Sequence, residues 1–155
     1  MRALVVHEFG PPKSHKIEEV PDPTIGDQDV LVDVKAIGLN FPDTLMLQGK
    51  YQTRPDRPFI PGRDAAGVVL AVGSGVTRVK KGDRVNVQVP TGAFAEKLAA
   101  PQVRCFRIPD GMDFATAAGM VTVYNTAYVA VVVRGQIKAG ETVLITGASG
   151  GVGLA

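Results

Sequence analysis

The stretch Glu141-Thr-Val-Leu-Ile-Thr-Gly-Ala-Ser-Gly-Gly-Val-Gly-Leu-Ala155 places a β-branched, apolar run directly before a glycine-rich turn. A strand followed by such a turn and a helix is the arrangement with which doubly wound folds hold the pyrophosphate of a dinucleotide. Aligned on that arrangement, Ala148, Gly150 and Gly153 take the three small-residue positions. The stretch therefore predicts a strand over residues 142–146 and a cofactor-binding turn after it.

The small residues of this turn have separate physical reasons. A side chain at Gly150 would hold the pyrophosphate away from the backbone N–H groups, and one at Gly153 would push the following helix off the strand. We expect the turn to contact the cofactor through Ala148, Gly150, Gly151, Val152 and Gly153. Because the chain stops two residues after Gly153, we expect it to be the N-terminal portion of a longer protein, with its dinucleotide site cut in half.

The composition bounds the class of protein. The 155 residues are 45% hydrophobic and 21% charged, which is typical of one globular domain with a real core. A net charge of +2, with Lys80-Lys81 as the only adjacent basic pair, argues against nucleic acid as a partner. Cys105 is the single cysteine, so no disulfide can form within the chain and a cysteine-based zinc site is excluded.

The sequence also argues against a membrane or secretory location. Residues 1–8 turn polar after a few apolar positions, which is too short for a signal-peptide core. The longest apolar stretch, residues 127–133, is far below the ~20 residues that a membrane span needs. Together with the lone cysteine, these features predict a cytoplasmic protein that contacts no membrane.

Most of the chain reads as short strands separated by glycine and proline turns, a pattern typical of a small barrel or sandwich. A first helix is predicted over residues 41–48, with Asn40 as its N-cap. Two more helices are predicted over residues 113–119 and 122–134. The predicted strands before the final one cover residues 2–7, 16–20, 29–36, 68–72, 76–79, 83–89, 93–99 and 103–108.

A set of motifs in fixed order then gives the whole chain a family resemblance. The motifs are Gly38-Leu-Asn-Phe-Pro-Asp43, Ile60-Pro-Gly-Arg-Asp-Ala-Ala-Gly-Val-Val69, Gly82-Asp-Arg-Val85, Gly92-Ala-Phe-Ala-Glu96 and the late glycine turn. They resemble the medium-chain dehydrogenase/reductase superfamily, and within it the zinc-independent, zeta-crystallin-like quinone oxidoreductases. The resemblance implies a fold that is mainly β with α. A GroES-like partly open barrel would cover residues 1–120, and residues 121–155 would supply an interdomain helix and the truncated start of a Rossmann domain.

The resemblance also implies a chemistry. It implies hydride transfer from NADPH, with NADH not excluded, to a quinone or another enone-like electrophilic acceptor. In the family, the positions of Asn40 and Tyr51 lie beside the nicotinamide and the substrate, and these are the candidate catalytic residues. The positions of Asp43 and Thr122 are candidates for cofactor binding. The resemblance further favours a homo-oligomer.

The zinc ligands of related enzymes are replaced in this chain. Zinc-bearing relatives would have a cysteine at position 40 and a His-Glu pair at positions 63–64, where this chain has Asn40 and Arg63-Asp64. Asparagine is a poor ligand for a first-row metal and arginine is not a ligand at all. The sequence therefore predicts no metal site. It favours an acceptor that is already electron-poor and needs positioning more than a Lewis acid.

Each candidate residue also has a purely structural interpretation. Asn40 can cap the first helix, and Asp43 can satisfy the dipole of its first turn. Tyr51 can pack in its loop, and Thr122 can bond its own helix backbone.

Two other functions also fit parts of the sequence. Residues 146–153 match the short-chain dehydrogenase pattern, although that pattern normally follows the first strand near the chain start. A GroES-like module can also act as a non-catalytic binding scaffold.

The residues after about 120 carry a separate expectation. A strand at 142–146 belongs in a covered parallel sheet, buried on both faces. Left uncovered, its edges and apolar faces would pair with another chain or rearrange. We expect the chain alone to be catalytically inactive, and to self-associate through this tail or rearrange it.

Overall fold

The computed structural model describes residues 1–155, which form seven strands and three helices. The strands are β1 (Arg2–Val5), β2 (Lys16–Glu19), β3 (Asp29–Gly38), β4 (Asp64–Val72), β5 (Arg84–Gln88), β6 (Lys97–Pro101) and β7 (Cys105–Arg107). The helices are α1 (Phe41–Leu47), α2 (Phe114–Tyr128), which a π-helical segment (Val129–Arg134) continues, and α3 (Gly151–Leu154). Short 3-10 turns cover Pro12–Ser14 and Gln102–Arg104.

An open antiparallel sheet in the order β6-β3-β4-β5-β7 forms the centre of the fold. Strands β1 and β2 form a separate hairpin, which isolated bridges attach at Ala3–Ala95 and Val6–Phe59. The alternating valines of β3 and β5 point into one core, and Val30, Val32, Val85 and Val87 are fully buried there. The mainly β, GroES-like architecture predicted from the sequence is confirmed, as an open sheet rather than a closed barrel.

Helix α2 lies against this sheet through small residues. Ala117 and Ala118 are buried in a cluster with Ala66 of β4 and with Ile108. A Cβ atom added to Gly38 would lie 2.5 Å from the Ala118 carbonyl oxygen, so only glycine permits this approach. The first residues of α2 are thus fixed on the sheet, and their position decides where the rest of the helix projects.

Most of the strands predicted before residue 110 are confirmed with small shifts, but two of these are not. Residues 76–79 form no strand, because the Gln102 side chain accepts the backbone N–H groups of Thr77 and Arg78 and replaces a strand partner. The predicted strand at 93–99 starts only at Lys97, since Phe94 bonds to the loop carbonyl of Pro61 instead of to a ladder. Both errors concern backbone groups whose partners are distant in sequence.

The two helices predicted over 113–119 and 122–134 are one continuous helical segment. Asp113 caps it by accepting the Thr116 backbone N–H at 2.8 Å, and Gly119 is accommodated inside it. The full segment Phe114–Arg134 has 21 residues and a mean hydropathy of 1.4, long and apolar enough to cross a membrane by length and composition. The helix is therefore much longer than the apolar run 127–133 on which the expectation of no membrane span was based. One such helix is weak evidence for a membrane span, because core helices of water-soluble proteins have the same composition.

The strand predicted at 142–146 is not formed. These residues have no regular secondary structure and are exposed, with Leu144 at 87% of its full accessibility. A strand needs a neighbour for its N–H and C=O groups, and no other strand of the chain lies beside this segment. The glycine turn does open a helix, the single turn α3, which contacts α2.

The start of α1 holds two carboxylates close together. Asn40 is the N-cap, and its backbone N–H donates to Asp43 Oδ2 at 2.8 Å. Asp43 is only 2% exposed and Asp64 only 1%. Burial raises the pKa of Asp43 above its ordinary 3.8, and the charge of Asp64 adds to this, while the bond from Asn40 opposes it.

We expect Gly38→Ala to destabilise the chain by about 1–3 kcal/mol, because the new methyl group forces α2 away from β3. Gly119→Ala is the matched control. A Cβ atom there meets nothing within 4 Å, and alanine favours a helix interior by up to about 1 kcal/mol over glycine. Urea denaturation of both variants measures the difference. Equal stability of the two variants would contradict the close contact between α2 and the sheet.

We expect Asp43→Ala to lower the free energy of unfolding by about 1 kcal/mol, because the Asn40 N–H loses its acceptor. Asp43→Asn keeps an acceptor oxygen and removes the buried charge. Because the pKa of Asp43 is raised in the folded chain, its protonated carboxyl stabilises the fold. This stabilisation is fully present below pH 3.8, the pKa of the unfolded chain, and is lost as the pH rises through the folded-state pKa. The stability of Asp43→Asn relative to the parent chain should therefore improve from pH 4 to pH 7. Asp110→Asn, at an exposed position, is the matched control.

Candidate functional site

A cleft of about 540 Å³ lies between the start of α1, the end of β5 and the middle of α2. It brings together three of the residues singled out in the sequence, Asn40, Tyr51 and Thr122, although 82 positions separate the first from the last. The remaining lining residues are Pro42, Arg63, Gln88, Asn125, Thr126, Val129 and Ala130. Most of this lining is polar and uncharged, with Arg63 the one formal charge.

Asn40 sits at the cleft with its side chain already engaged. Its Nδ2 donates to Asp64 Oδ2 at 2.8 Å, while its backbone N–H donates to Asp43. The buried Asp64 carboxylate can only accept, so it fixes the orientation of the Asn40 amide. Asn40 is therefore the helix N-cap of the structural interpretation and also a rigidly held polar group at the cleft.

Tyr51 is held at the cleft wall by Arg63. The Arg63 Nη1 atom donates to the Tyr51 hydroxyl oxygen at 3.3 Å, and both side chains are half-buried. Arg63 lies one residue before β4, and its carbonyl accepts the Val89 backbone N–H at 2.9 Å. The cleft wall therefore carries a cation that contacts Tyr51.

Thr122 projects from α2 toward the end of β5. Gln88 Nε2 lies 3.3 Å from Thr122 Oγ1, which links the helix to the sheet inside the cleft. Thr126, one turn further along, donates its hydroxyl to the Thr122 carbonyl at 2.6 Å and so serves its own helix. Only Thr122 of these two threonines reaches across the cleft.

Asp43 does not line this cleft. It lies behind Asn40, buried under α1, where it borders a separate apolar hollow. Of the other sequence candidates, Asp43 is hydrogen-bonded only to Asn40.

The glycine turn lies on the other side of α2. Gly150, Gly151, Val152 and Gly153 line a second hollow of about 940 Å³ together with Tyr124, Tyr128 and residues 143–146, whereas Ala148 does not line it. Ala130 borders both this hollow and the Asn40–Tyr51–Thr122 cleft. One helix therefore forms a wall of the Asn40–Tyr51–Thr122 cleft and a wall of the hollow at the glycine turn.

Three of the four glycines of the turn, Gly150, Gly151 and Gly153, differ in what requires them. A Cβ atom at Gly153 would lie 2.3 Å from the Gly147 carbonyl oxygen, and one at Gly151 would lie 3.0 Å from Val123 of α2. A Cβ atom at Gly150 would meet only the Gly147 oxygen at 3.4 Å, an ordinary contact, and Gly150 has an ordinary φ of −82°. The fold accounts for Gly151 and Gly153, and it leaves Gly150 without a structural reason.

Gln88 and Asn125 line the cleft but were not predicted from the sequence. Gln88 ends the strand Arg84–Gln88, and its register partner is Asp64. Its polarity gave no signal, because Arg84 and Asn86 of the same strand are also polar, and only the tertiary structure shows that it meets Thr122. No group of three or more His, Cys, Asp or Glu side chains is arranged to hold a metal ion.

Comparison with known proteins places these features in a family. The model of the alcohol dehydrogenase GroES-like domain family matches residues 26–110, more than half of the chain. The rat quinone oxidoreductase-like protein 2 is 44% identical over 154 residues, which are 99% of this chain and 43% of that protein.

Solved structures show the same likeness. The Escherichia coli quinone oxidoreductase complexed with NADPH is 33% identical, with a TM-score of 0.93 over 99% of this chain and 47% of that one. The human synaptic vesicle membrane protein VAT-1 homolog-like protein is 36% identical, with a TM-score of 0.95 over 99% of this chain and 50% of that one. The chain spans about half the length of the relatives it matches. On its sequence, its open GroES-like sheet and these matches, the chain belongs to the alcohol dehydrogenase GroES-like domain family, with quinone oxidoreductases among its relatives.

Proposed function

We propose that the chain is the N-terminal portion of an NADPH-dependent oxidoreductase that reduces a quinone or an enone-like acceptor without zinc. The observation that carries the proposal is the cleft in which Asn40, Tyr51 and Thr122 meet on one face of α2, with the glycine turn on another face of the same helix. A dinucleotide has a reactive ring at one end and a pyrophosphate in the middle, so it needs two such sites within reach of each other.

The residues present fit such a cofactor. Glycine at position 150 has no reason in the fold itself, and close approach of a phosphate to the backbone supplies one. Asn40 and Thr122 offer polar groups held by Asp64 and Gln88, which suits orientation of a nicotinamide carboxamide. NADPH rather than NADH is favoured by the likeness to the E. coli enzyme complexed with NADPH.

The chemistry implied is simple. When bound, NADPH supplies a hydride, which together with a proton from water converts a quinone to a hydroquinone. The residues of this chain would position the electron-poor acceptor beside the cofactor ring, with Tyr51 on the acceptor side of the cleft. Asn40 and Arg63 stand where zinc-bearing relatives have ligands, and neither suits a first-row metal, so the proposed reduction uses no metal.

The remaining assignments follow from the same proposal. Residues 1–120 would form the catalytic domain, and residues 121–155 would begin the nucleotide-binding domain. Asp43 would support the cofactor site indirectly, since it contacts Asn40 and not the cleft. The protein would act as a cytoplasmic homo-oligomer on a small electrophilic molecule, and the 155-residue chain alone would be inactive.

We expect the full-length protein, with both halves of its dinucleotide site, to bind NADPH saturably, and Gly150→Ala to weaken that binding by at least about tenfold. The added methyl group fits the fold but holds a phosphate away from the backbone. Amide chemical shifts in an NADPH titration measure the affinity and show whether Thr122 and the glycine turn respond together. Gly111→Ala is the control, because a Cβ atom there meets nothing within 4 Å and Gly111 lines neither the cleft nor the hollow at the glycine turn. Absence of NADPH binding, or equal binding by the Gly150→Ala variant, would contradict the proposed cofactor site and leave the non-catalytic scaffold as the better explanation.

A further inference from the structure

The hydrogen bond between Arg63 and Tyr51 has a fixed direction. A guanidinium group carries only N–H donors and no acceptor, so in this pair the Tyr51 oxygen accepts from Arg63 Nη1. Tyr51 donates to no other group of the chain, and its hydroxyl lines the cleft. Its proton is therefore available to a ligand, and Arg63 holds the hydroxyl as a donor toward the cleft.

Arg63 is well placed to keep this arrangement. Its backbone is tied to the end of β5 through the bond that its carbonyl accepts from Val89, and the next residue begins β4. The neighbouring carboxylates Asp43 and Asp64 are buried, and each accepts a hydrogen bond from Asn40 through Oδ2 and none from Arg63. The half-buried guanidinium makes its side-chain hydrogen bond to the Tyr51 hydroxyl.

A second hydroxyl of the cleft has the same arrangement. Thr122 Oγ1 lies 3.3 Å from Gln88 Nε2, an amide donor, so this oxygen also accepts from a residue of the sheet. Its proton, like that of Tyr51, is left for a ligand. Two hydroxyl donors then face one cleft, which suits an oxygen atom that is electron-rich or gains negative charge.

We propose that Arg63 is a positioning residue that orients the Tyr51 hydroxyl to donate a hydrogen bond to the carbonyl oxygen of the electrophilic acceptor. The proposal rests on the proposed function, because a carbonyl oxygen gains negative charge when hydride reaches a quinone or an enone. A donor fixed beforehand stabilises that charge without reorganisation. The ligand class that this cleft selects is accordingly a carbonyl compound with an exposed acceptor oxygen. Arg63 acts through Tyr51 and touches no reacting atom itself.

The first half of the test needs no ligand. The chain has three tyrosines, Tyr51, Tyr124 and Tyr128, so a ¹³Cζ-tyrosine label gives three signals, and the Tyr51→Phe variant identifies the first. The Tyr51 signal should move in Arg63→Met, which keeps an unbranched apolar stem but removes the donors, and should move less in Arg63→Lys. An unchanged Tyr51 signal in Arg63→Met would overturn the contact on which the proposal depends.

The second half uses duroquinone, a fully substituted quinone with no open ring position for thiol addition, in titrations without NADPH. Arg63→Met and Tyr51→Phe should each weaken duroquinone binding by about tenfold, the loss of roughly one hydrogen bond. The double variant should be no weaker than Tyr51→Phe alone, because Arg63 acts only through the hydroxyl. Arg104→Met is the matched control. It makes the same substitution at an exposed arginine that does not line the cleft, and it should bind duroquinone like the parent chain.

Two results would overturn the proposal. One is additive losses in the double variant, which would show that Arg63 acts on the cleft independently of Tyr51. The other is no measurable duroquinone binding by the parent chain. Because NADPH is absent from these titrations, failure of the cofactor proposal would leave the result for Arg63 and Tyr51 unaffected, and the two proposals fail separately.

Discussion

The close contact between helix α2 and strand β3 decides the geometry of everything functional in this chain. Gly38 lets the Ala118 carbonyl approach the sheet. A side chain at this position would overlap the carbonyl oxygen and push α2 away from β3. Thr122 lies one turn beyond that contact and reaches Gln88 across the cleft. The far end of the same helix forms a wall of the hollow at the glycine turn. A helix moved by an ångström would separate these elements, because hydrogen bonds lose their strength quickly with distance.

The second constraint is a pair of buried carboxylates that would be costly without Asn40. Its backbone N–H binds Asp43 and its side chain binds Asp64, so one residue partners two buried acids. Each carboxylate still has one oxygen atom without a hydrogen-bond partner in the chain. The structural and the functional interpretations of Asn40 therefore do not exclude each other. The helix cap and the polar cleft group are the same residue, and the fold keeps that residue rigid.

The sequence predicted the fold class and most elements well because their signals are local. Alternation of apolar residues gives the strands β3 and β5, and the cap at Asn40 gives the start of α1. The errors occurred where partners are distant. Residues 76–79 lose their strand to the Gln102 side chain, and residues 142–146 have no neighbouring strand. The candidates Asn40, Tyr51 and Thr122 came from family resemblance, whereas Gln88 and Asn125 could be found only by knowing which strand lies under α2.

The sequence by itself determined the family and the late glycine turn, since residue identity and order alone carry that information. Only the tertiary structure decided that Asp43 lies behind the cleft, that Arg63 contacts Tyr51, and that the cleft and the turn share one helix. The physical reason is that hydrogen bonds act over about 3 Å, whereas the residues that make them here are 12 to 34 positions apart. No local sequence pattern specifies the distance between residues so far apart in the chain. The packing of α2 on the sheet sets that distance.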